Sequence, residues 1–226
     1  MAKTLKSGFT LVELLVVIVI IAVLGTLTAV IGPKILKKGR QSASITNLRQ
    51  VNTYLISYAS ENANRIPAPV HLNDNEQEIY WHAVVQGEVS GKPAESFQED
   101  SWWKQNDSIV INPVVPKANL NHKNSGYGMN IQLAQNIAKL KGEVLEMEDA
   151  AYTQVNINNL SDTSKTPLIM PFWTWAYKCD AEDVSNPKWD DLGVSKKVPV
   201  LFLDGHTELL TPREYVSKKL NEEPRN

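Results

Sequence analysis

Apolar positions crowd one end of the chain. From Phe9 to Ile31, 18 of 23 residues are apolar, and Leu14 to Leu24 carries no polar side chain. Wound as a helix, the stretch covers roughly 34 Å, enough for a bilayer hydrocarbon core of about 30 Å. A single membrane span is predicted.

Past this run the pattern changes rather than stops. Residues 34–60 hold no proline and one glycine, Gly39, while Ile45, Leu48, Val51, Leu55 and Tyr58 recur at three- and four-residue steps among Gln, Ser, Asn and Arg. Such spacing places an apolar stripe on one face of a helix. One continuous helix of roughly 78 Å is therefore predicted from Phe9 to about Ser60. Gly25, Gly32 and Pro33 lie along it. Because Pro33 lacks an N–H and its ring crowds the preceding turn, a kink or local melting is expected there. Asn62, Asn64, Pro67 and Pro69 end the helix.

The remainder reads as a mixed head. A helix is expected at Gln77 to Val85, a Gly/Ser/Pro-rich stretch follows from Gly87 to Pro93, and Ile109-Val110-Ile111 is a short buried strand candidate. Gly126 and Gly128, within Ser125 to Asn130, predict a tight turn or close backbone packing. Ile131 to Leu140 has helical periodicity, and Leu168-Ile169-Met170 reads as a strand leading into Trp173-Thr174-Trp175. The clearest element comes last. Val198 to Leu203 and His206 to Leu210 flank Asp204-Gly205, the signature of a two-residue type I′ hairpin with positive φ at both central positions. The predicted class is α+β, a long N-terminal helix packed on an antiparallel sheet.

Charge and composition narrow the function. With 23 Lys+Arg against 25 Asp+Glu the formal charge is −2, which argues against nucleic-acid binding. Residues 34–58 carry five Lys/Arg and no acid, whereas residues 61–110 carry nine Asp/Glu against three Lys/Arg. Solvated faces are the default explanation of such a division, and attraction between opposite charges on adjoining molecules is the other. Cys179 is the single cysteine, so no intrachain disulfide forms; it reads as a small buried apolar residue. His71, His82, His122 and His206 lack metal-ligand spacing, and no glycine-rich phosphate loop or G-x-S-x-G elbow is present. The chain does not read as an enzyme.

The N-terminus carries the most specific signal. Lys3 and Lys6 before an apolar run also describe a secretory signal peptide, but no Ala-x-Ala site and no early cysteine follows. Glu13 is out of place in such a run, since a carboxylate there costs on the order of 3 kcal/mol or more to insert. Lys6-Ser7-Gly8-Phe9-Thr10-Leu11-Val12-Glu13-Leu14-Leu15 resembles the class III leader of type IV pilins and type II secretion pseudopilins. The resemblance implies that a membrane aspartyl prepilin peptidase cuts between Gly8 and Phe9 on the cytoplasmic side and methylates the new amine of Phe9. Gly8, without a Cβ, suits an extended backbone in a protease cleft. Loss of Lys3 and Lys6 takes the side-chain charge from −2 to −4.

Glu13 lies four residues from the new ammonium, on the same helix face. The resemblance implies that it neutralises the N-terminus of a neighbouring subunit and so sets register in the filament. It further implies an inner-membrane, single-pass location with a periplasmic head, homo- or hetero-oligomeric assembly with other pilin-like subunits, an inner-membrane platform protein and a cytoplasmic assembly ATPase. On this reading residues 1–8 are the leader, 9–33 the membrane part of the helix, 34–60 the stem and 61–226 the head. Lys34, Lys37, Lys38 and Arg40 outnumber the leader lysines, so a positive-inside count favours the opposite orientation.

Asn47-Leu48-Arg49-Gln50, Tyr58 and Ile66-Pro67 resemble a G-type pseudopilin-like subfamily, as do Tyr127-Gly128 with Asn130 and the terminal Asp204-Gly205-His206. That subfamily has a histidine ten residues before the aspartate, where this chain has Val194. No cofactor is required on this reading. Major type II pseudopilins hold calcium in a C-terminal loop, which makes Asp180, Glu182, Asp183, Asp190 and Asp191 calcium candidates beside the simpler reading of a solvated acidic loop. Trp102-Trp103, Trp173, Trp175 and Trp189 read as core residues, or as a sugar-stacking surface. The alternative function is accordingly a minor pilin, a tip adhesin or a sugar-binding module on a membrane anchor.

Overall fold

The computed structural model describes residues 10–160, 162–172, 174, 176–177, 197–211 and 214–215. The chain divides into two compact units, Met1–Gly39 and Arg40–Asn226.

In the first unit the described residues form the N-terminal part of helix α1, Leu11–Glu61. This helix is long and apolar enough to cross a membrane. Its large apolar side chains there are exposed, from Leu11 to Leu36. Two hydroxyls inside the run fold back onto the backbone: Thr26 Oγ1 donates to the Val23 carbonyl at 2.8 Å, and Thr28 Oγ1 to that of Leu24 at 2.8 Å. Internal satisfaction of this kind is what a hydrocarbon environment demands. The local melting expected at Pro33 does not occur, for the helix runs on through Gly25, Gly32 and Pro33. Proline removes one helical bond, here to the Ala29 carbonyl, and a single lost bond is tolerated where the turns on either side are strongly helical.

In the second unit α1 continues to Glu61 and buries Ser44, Leu48, Val51, Leu55 and Ala59. The buried stripe is thus rotated slightly from the predicted one, leaving Ile45 and Tyr58 half-buried at its margins. Ser44 holds a core position because its hydroxyl pairs with the Tyr127 hydroxyl at 2.8 Å. The helix ends where two successive residues, Ala63 and Asn64, take positive φ (54° and 59°). The Asn64 N–H caps the Ala59 carbonyl at 2.8 Å.

The head then builds two small antiparallel pairs, β1 (Arg65–Ile66) with β5 (Val155–Asn156), and β2 (Val70–Leu72) with β3 (Glu78–Tyr80). Asn73 Oδ1 organises the β2–β3 turn by accepting the N–H groups of Asn75 and Gln77. Helix α2 (Trp81–Ser90) follows β3 directly, so the single helix expected over Gln77 to Val85 is a strand followed by a helix. Helices α3 (Asp100–Gln105), α4 (Gln132–Leu140) and α5 (Met147–Ala151) follow; α4 matches the periodicity at Ile131 to Leu140.

A five-stranded sheet closes the core in the order β7-β4-β6-β8-β9, with β4 at Tyr127–Asn130, β6 at Pro167–Pro171, β7 at Ala176–Tyr177, β8 at Val198–Phe202 and β9 at Thr207–Leu210. Neighbours pair antiparallel except β4 and β7, which run parallel. Every residue of β6 and β8 is buried, so both sheet faces are covered at its centre. Ile109-Val110-Ile111 is largely buried but lies in a turn rather than a strand, with the Ile111 N–H donating to the Ser108 carbonyl at 3.1 Å. Pro113 follows and removes a donor that a strand would need.

Candidate functional site

The helix start is built as a reciprocal cap. Thr10 precedes the first helical residue, and its N–H and its Oγ1 each donate to Glu13 Oε2 at 2.8 Å. In return the Glu13 N–H donates to Thr10 Oγ1 at 3.3 Å. This is the capping-box arrangement that a Thr-x-x-Glu sequence favours, and it satisfies N–H groups that the first turn cannot bond internally. Glu13 thereby has a local task in addition to any partner outside the chain. Gly8 and Phe9, the residues of the expected cleavage, lie outside the described residues.

At the other end of the chain, the Asp204-Gly205 hairpin forms, but by a different turn from the predicted one. Leu201 pairs with Thr207, the Phe202 N–H donates to the His206 carbonyl at 2.9 Å, and the Gly205 N–H donates back to the Phe202 carbonyl at 2.9 Å. Only Gly205 takes a positive φ, 89°; Asp204 does not. The geometry is a type I turn followed by a left-handed glycine, a three-residue loop rather than a type I′ pair. Asp204 Oδ1 accepts the His206 N–H at 3.0 Å and faces His206 Nδ1 at 2.6 Å, while the His206 ring stacks on Phe202 at 4.3 Å. A Cβ on Gly205 would come within 2.5 Å of Asn52 Nδ2 on α1, so glycine here allows the turn to lie against the stem. The turn has a structural role.

A histidine-aromatic cluster that no sequence spacing announced lies beneath α2. His82 is fully buried, its Nε2–H donating to the His122 carbonyl at 2.8 Å, with Trp103 edge-on at 4.9 Å and Tyr80 stacked at 5.9 Å. Burial holds its pKa down at about 4, so the ring is neutral at pH 7. His122 Nδ1 lies 2.6 Å from Asp100 Oδ1, and that hydrogen bond holds the Asp100 carboxyl below its ordinary range. Nearby, Glu78 accepts the hydroxyls of Tyr80 and Tyr152 at 2.5 and 2.9 Å. The two hydrogen-bonded sets meet where Tyr80 stacks on His82, whose Nδ1 is buried without a hydrogen-bond partner.

Trp103 belongs to this core, fully buried with its Nε1–H donating to the Phe97 carbonyl at 2.9 Å. Trp102 is half-buried against Phe97 and Trp103. Trp173, Trp175, Trp189 and Cys179 lie outside the described residues, as do the calcium candidates Asp180, Glu182, Asp183, Asp190 and Asp191. Among the described residues no group of three or more His, Cys, Asp or Glu side chains is placed to hold a metal ion. An open cleft of about 750 Å³ is lined by Arg65, His71, Ile137, Lys141, Glu143 and Tyr152 among others, a mixed apolar and polar surface with charges of both signs that includes none of the site residues expected from the sequence.

No curated protein and no solved structure matches the chain. Residues 3–29 match the family model described as the prokaryotic N-terminal methylation motif. That stretch spans the Gly8–Phe9 bond, the Thr10–Glu13 cap and most of the apolar run. The chain thus carries a prokaryotic N-terminal methylation motif, followed by an α+β head.

Proposed function

We propose that the chain is a structural filament subunit, a pseudopilin of a type II secretion or type IV pilus-like machine, made as a prepilin and assembled through its N-terminal helix. The observation that carries this reading is the methylation motif at residues 3–29. Prepilin peptidase cuts between Gly8 and Phe9 and methylates Phe9, leaving a cation one residue before the Thr10 cap. The leader motif sets the N-terminus on the cytoplasmic side against the positive-inside count, the apolar part of α1 anchors the subunit in the inner membrane, and the head is periplasmic.

Glu13 then has two sets of donors to serve. In its own helix it caps the first turn through Thr10. Toward a neighbour, the same carboxylate neutralises the Phe9 ammonium of the next subunit. An unpaired charge in a low-dielectric setting is costly, so this pairing selects one register. The chain shows no nucleotide-binding motif, and the work of assembly falls to a cytoplasmic ATPase acting through a platform protein. The G-type resemblance keeps calcium binding by Asp180, Glu182, Asp183, Asp190 and Asp191 as a reading beside the simpler one of a solvated acidic loop. A minor pilin or tip adhesin is the second reading, and the burial of Trp103 weighs against its sugar-stacking surface.

The test is filament assembly in cells carrying the full machinery, with Glu13→Ala and Glu13→Gln beside the wild type. Wild-type chain is expected in sheared filaments, and both variants are expected to remain in the membrane. Filaments at wild-type levels from Glu13→Ala would remove the register role.

A further inference from the structure

The proposed function leaves one charged cluster without a task. Lys34, Lys37 and Lys38 follow the apolar run, lie on α1 and are exposed. At 100° per residue they fall within an arc of roughly 100°, while the exposed Ile35 and Leu36 between them point elsewhere around the helix. Arg40 comes two residues later. No acidic residue occurs between Glu13 and Glu61, so no carboxylate on this stretch of helix can neutralise them. Among the described residues none of the three lysines makes a salt bridge.

Their position along the helix identifies the surroundings. Lys34 to Lys38 stand roughly 38 to 44 Å from Phe9 at ideal rise, and the bilayer with its headgroup layers measures about 40–45 Å. A span that starts near one boundary therefore carries these ammonium groups to the headgroup layer of the opposite leaflet. Their four-carbon stems cover apolar surface while the charged ends reach the phosphates.

We propose that Lys34, Lys37 and Lys38 form a binding site for anionic phospholipid headgroups in the leaflet where the membrane span ends. This rests on the membrane-anchored reading given above. Phosphate supplies the negative charge that the helix lacks. The interaction is a set of point-charge contacts and is therefore weakened by salt. It also gives the membrane pool of subunits a hold on lipid that assembly must break, since a helix leaving the bilayer must give up these headgroups.

The test uses the full chain reconstituted in phosphatidylcholine vesicles containing a trace of nitroxide-labelled phosphatidylglycerol or nitroxide-labelled phosphatidylcholine, read as the motionally restricted fraction of each label. A lysine near an anionic surface is worth about a fivefold enrichment before screening. With three partly screened lysines, the restricted fraction is expected to favour phosphatidylglycerol on the order of tenfold at 50 mM salt. The preference should collapse toward unity in 0.5 M salt and in the triple variant Lys34→Gln, Lys37→Gln, Lys38→Gln. An inserted chain with equal selectivity for both labels would overturn the inference and leave the proposed function standing. Persistence of the preference in the triple variant would overturn it as well. A chain recovered outside the vesicles after alkaline washing would instead overturn the membrane reading, and this inference with it. Loss of filaments in the triple variant, with lipid selectivity unchanged, would reassign the lysines to the acidic head of a neighbouring subunit.

Discussion

Leu14, Leu15 and Val16 are about half exposed on α1, whereas Leu48, Val51 and Leu55 on the same helix have no exposed surface. The side-chain types are alike, and the difference lies in who supplies the contacts. From Thr10 to Ile31 the helix satisfies its own polar groups, through the Thr10–Glu13 cap and the back-bonded Thr26 and Thr28, and leaves its apolar surface to its surroundings. After Arg40 the helix is completed by its own chain, through Tyr127, Ile111 and Lys197. Substitutions in the two stretches should therefore report on different equilibria, insertion and assembly in one and folding in the other.

The largest separation is expected from Trp103→Ala set beside Ile18→Ala. Removing Trp103 empties a fully buried site and orphans the Phe97 carbonyl, and should cost the head about 3–5 kcal/mol in a denaturant titration of the full chain in detergent, followed by circular dichroism. Ile18→Ala should leave that transition in place, because Ile18 is 56% exposed. Equal shifts in both variants would break the comparison.

Acid should act on the head next most strongly. The pKa of His82 falls from its ordinary 6.5 to about 4 in the folded state, so the unfolded chain takes up the proton first. Stability from this group is complete above about pH 6.5, falls as the pH drops toward 4, and is lost by about 3 kcal/mol in all. His82→Phe should flatten that window by close to one proton in a pH series of unfolding titrations. An unchanged slope would show that His82 is not held neutral.

Smaller effects sharpen the packing. At Gly126, φ is 83°, and a Cβ would come within 2.8 Å of both Asn112 Cβ and Val115 Cγ2. Gly126→Ala should thus cost about 2 kcal/mol, read as a lowered midpoint. Ser44→Ala leaves the buried Tyr127 hydroxyl without its 2.8 Å partner and should cost about 1 kcal/mol in the same titration. Thr26→Ala, in the apolar run, should not move the head's midpoint at all.

The elements legible in the sequence were those set by local pattern. The span, the stem stripe through Leu48, Val51 and Leu55, its end before Arg65, α4, β6 and the Asp-Gly hairpin each follow from spacing or from a punctuating residue. What was not legible depends on distant partners. The parallel pairing of β7 with β4 joins Ala176 to Met129, and nothing near either residue specifies it. Ile109 to Ile111 had the composition of a strand but is held as a turn, with the Asn112 N–H donating to the Ser125 carbonyl and the Ile111 carbonyl accepting from Asn47. The bulged form of the Asp204-Gly205 turn was not legible either, nor was the close approach of Asn52 that excludes a Cβ at Gly205. The candidate site divides in the same way. Thr10 and Glu13 could be read three residues apart, whereas His82, His122 and Asp100 meet only once the head has folded.

The most direct measurement is mass spectrometry of the mature N-terminus, on chain purified from cells that also make a prepilin peptidase. The processed-subunit reading predicts a chain beginning at Phe9 with one methyl group on its amine. An intact Met1, or a cut beyond residue 22, would contradict it.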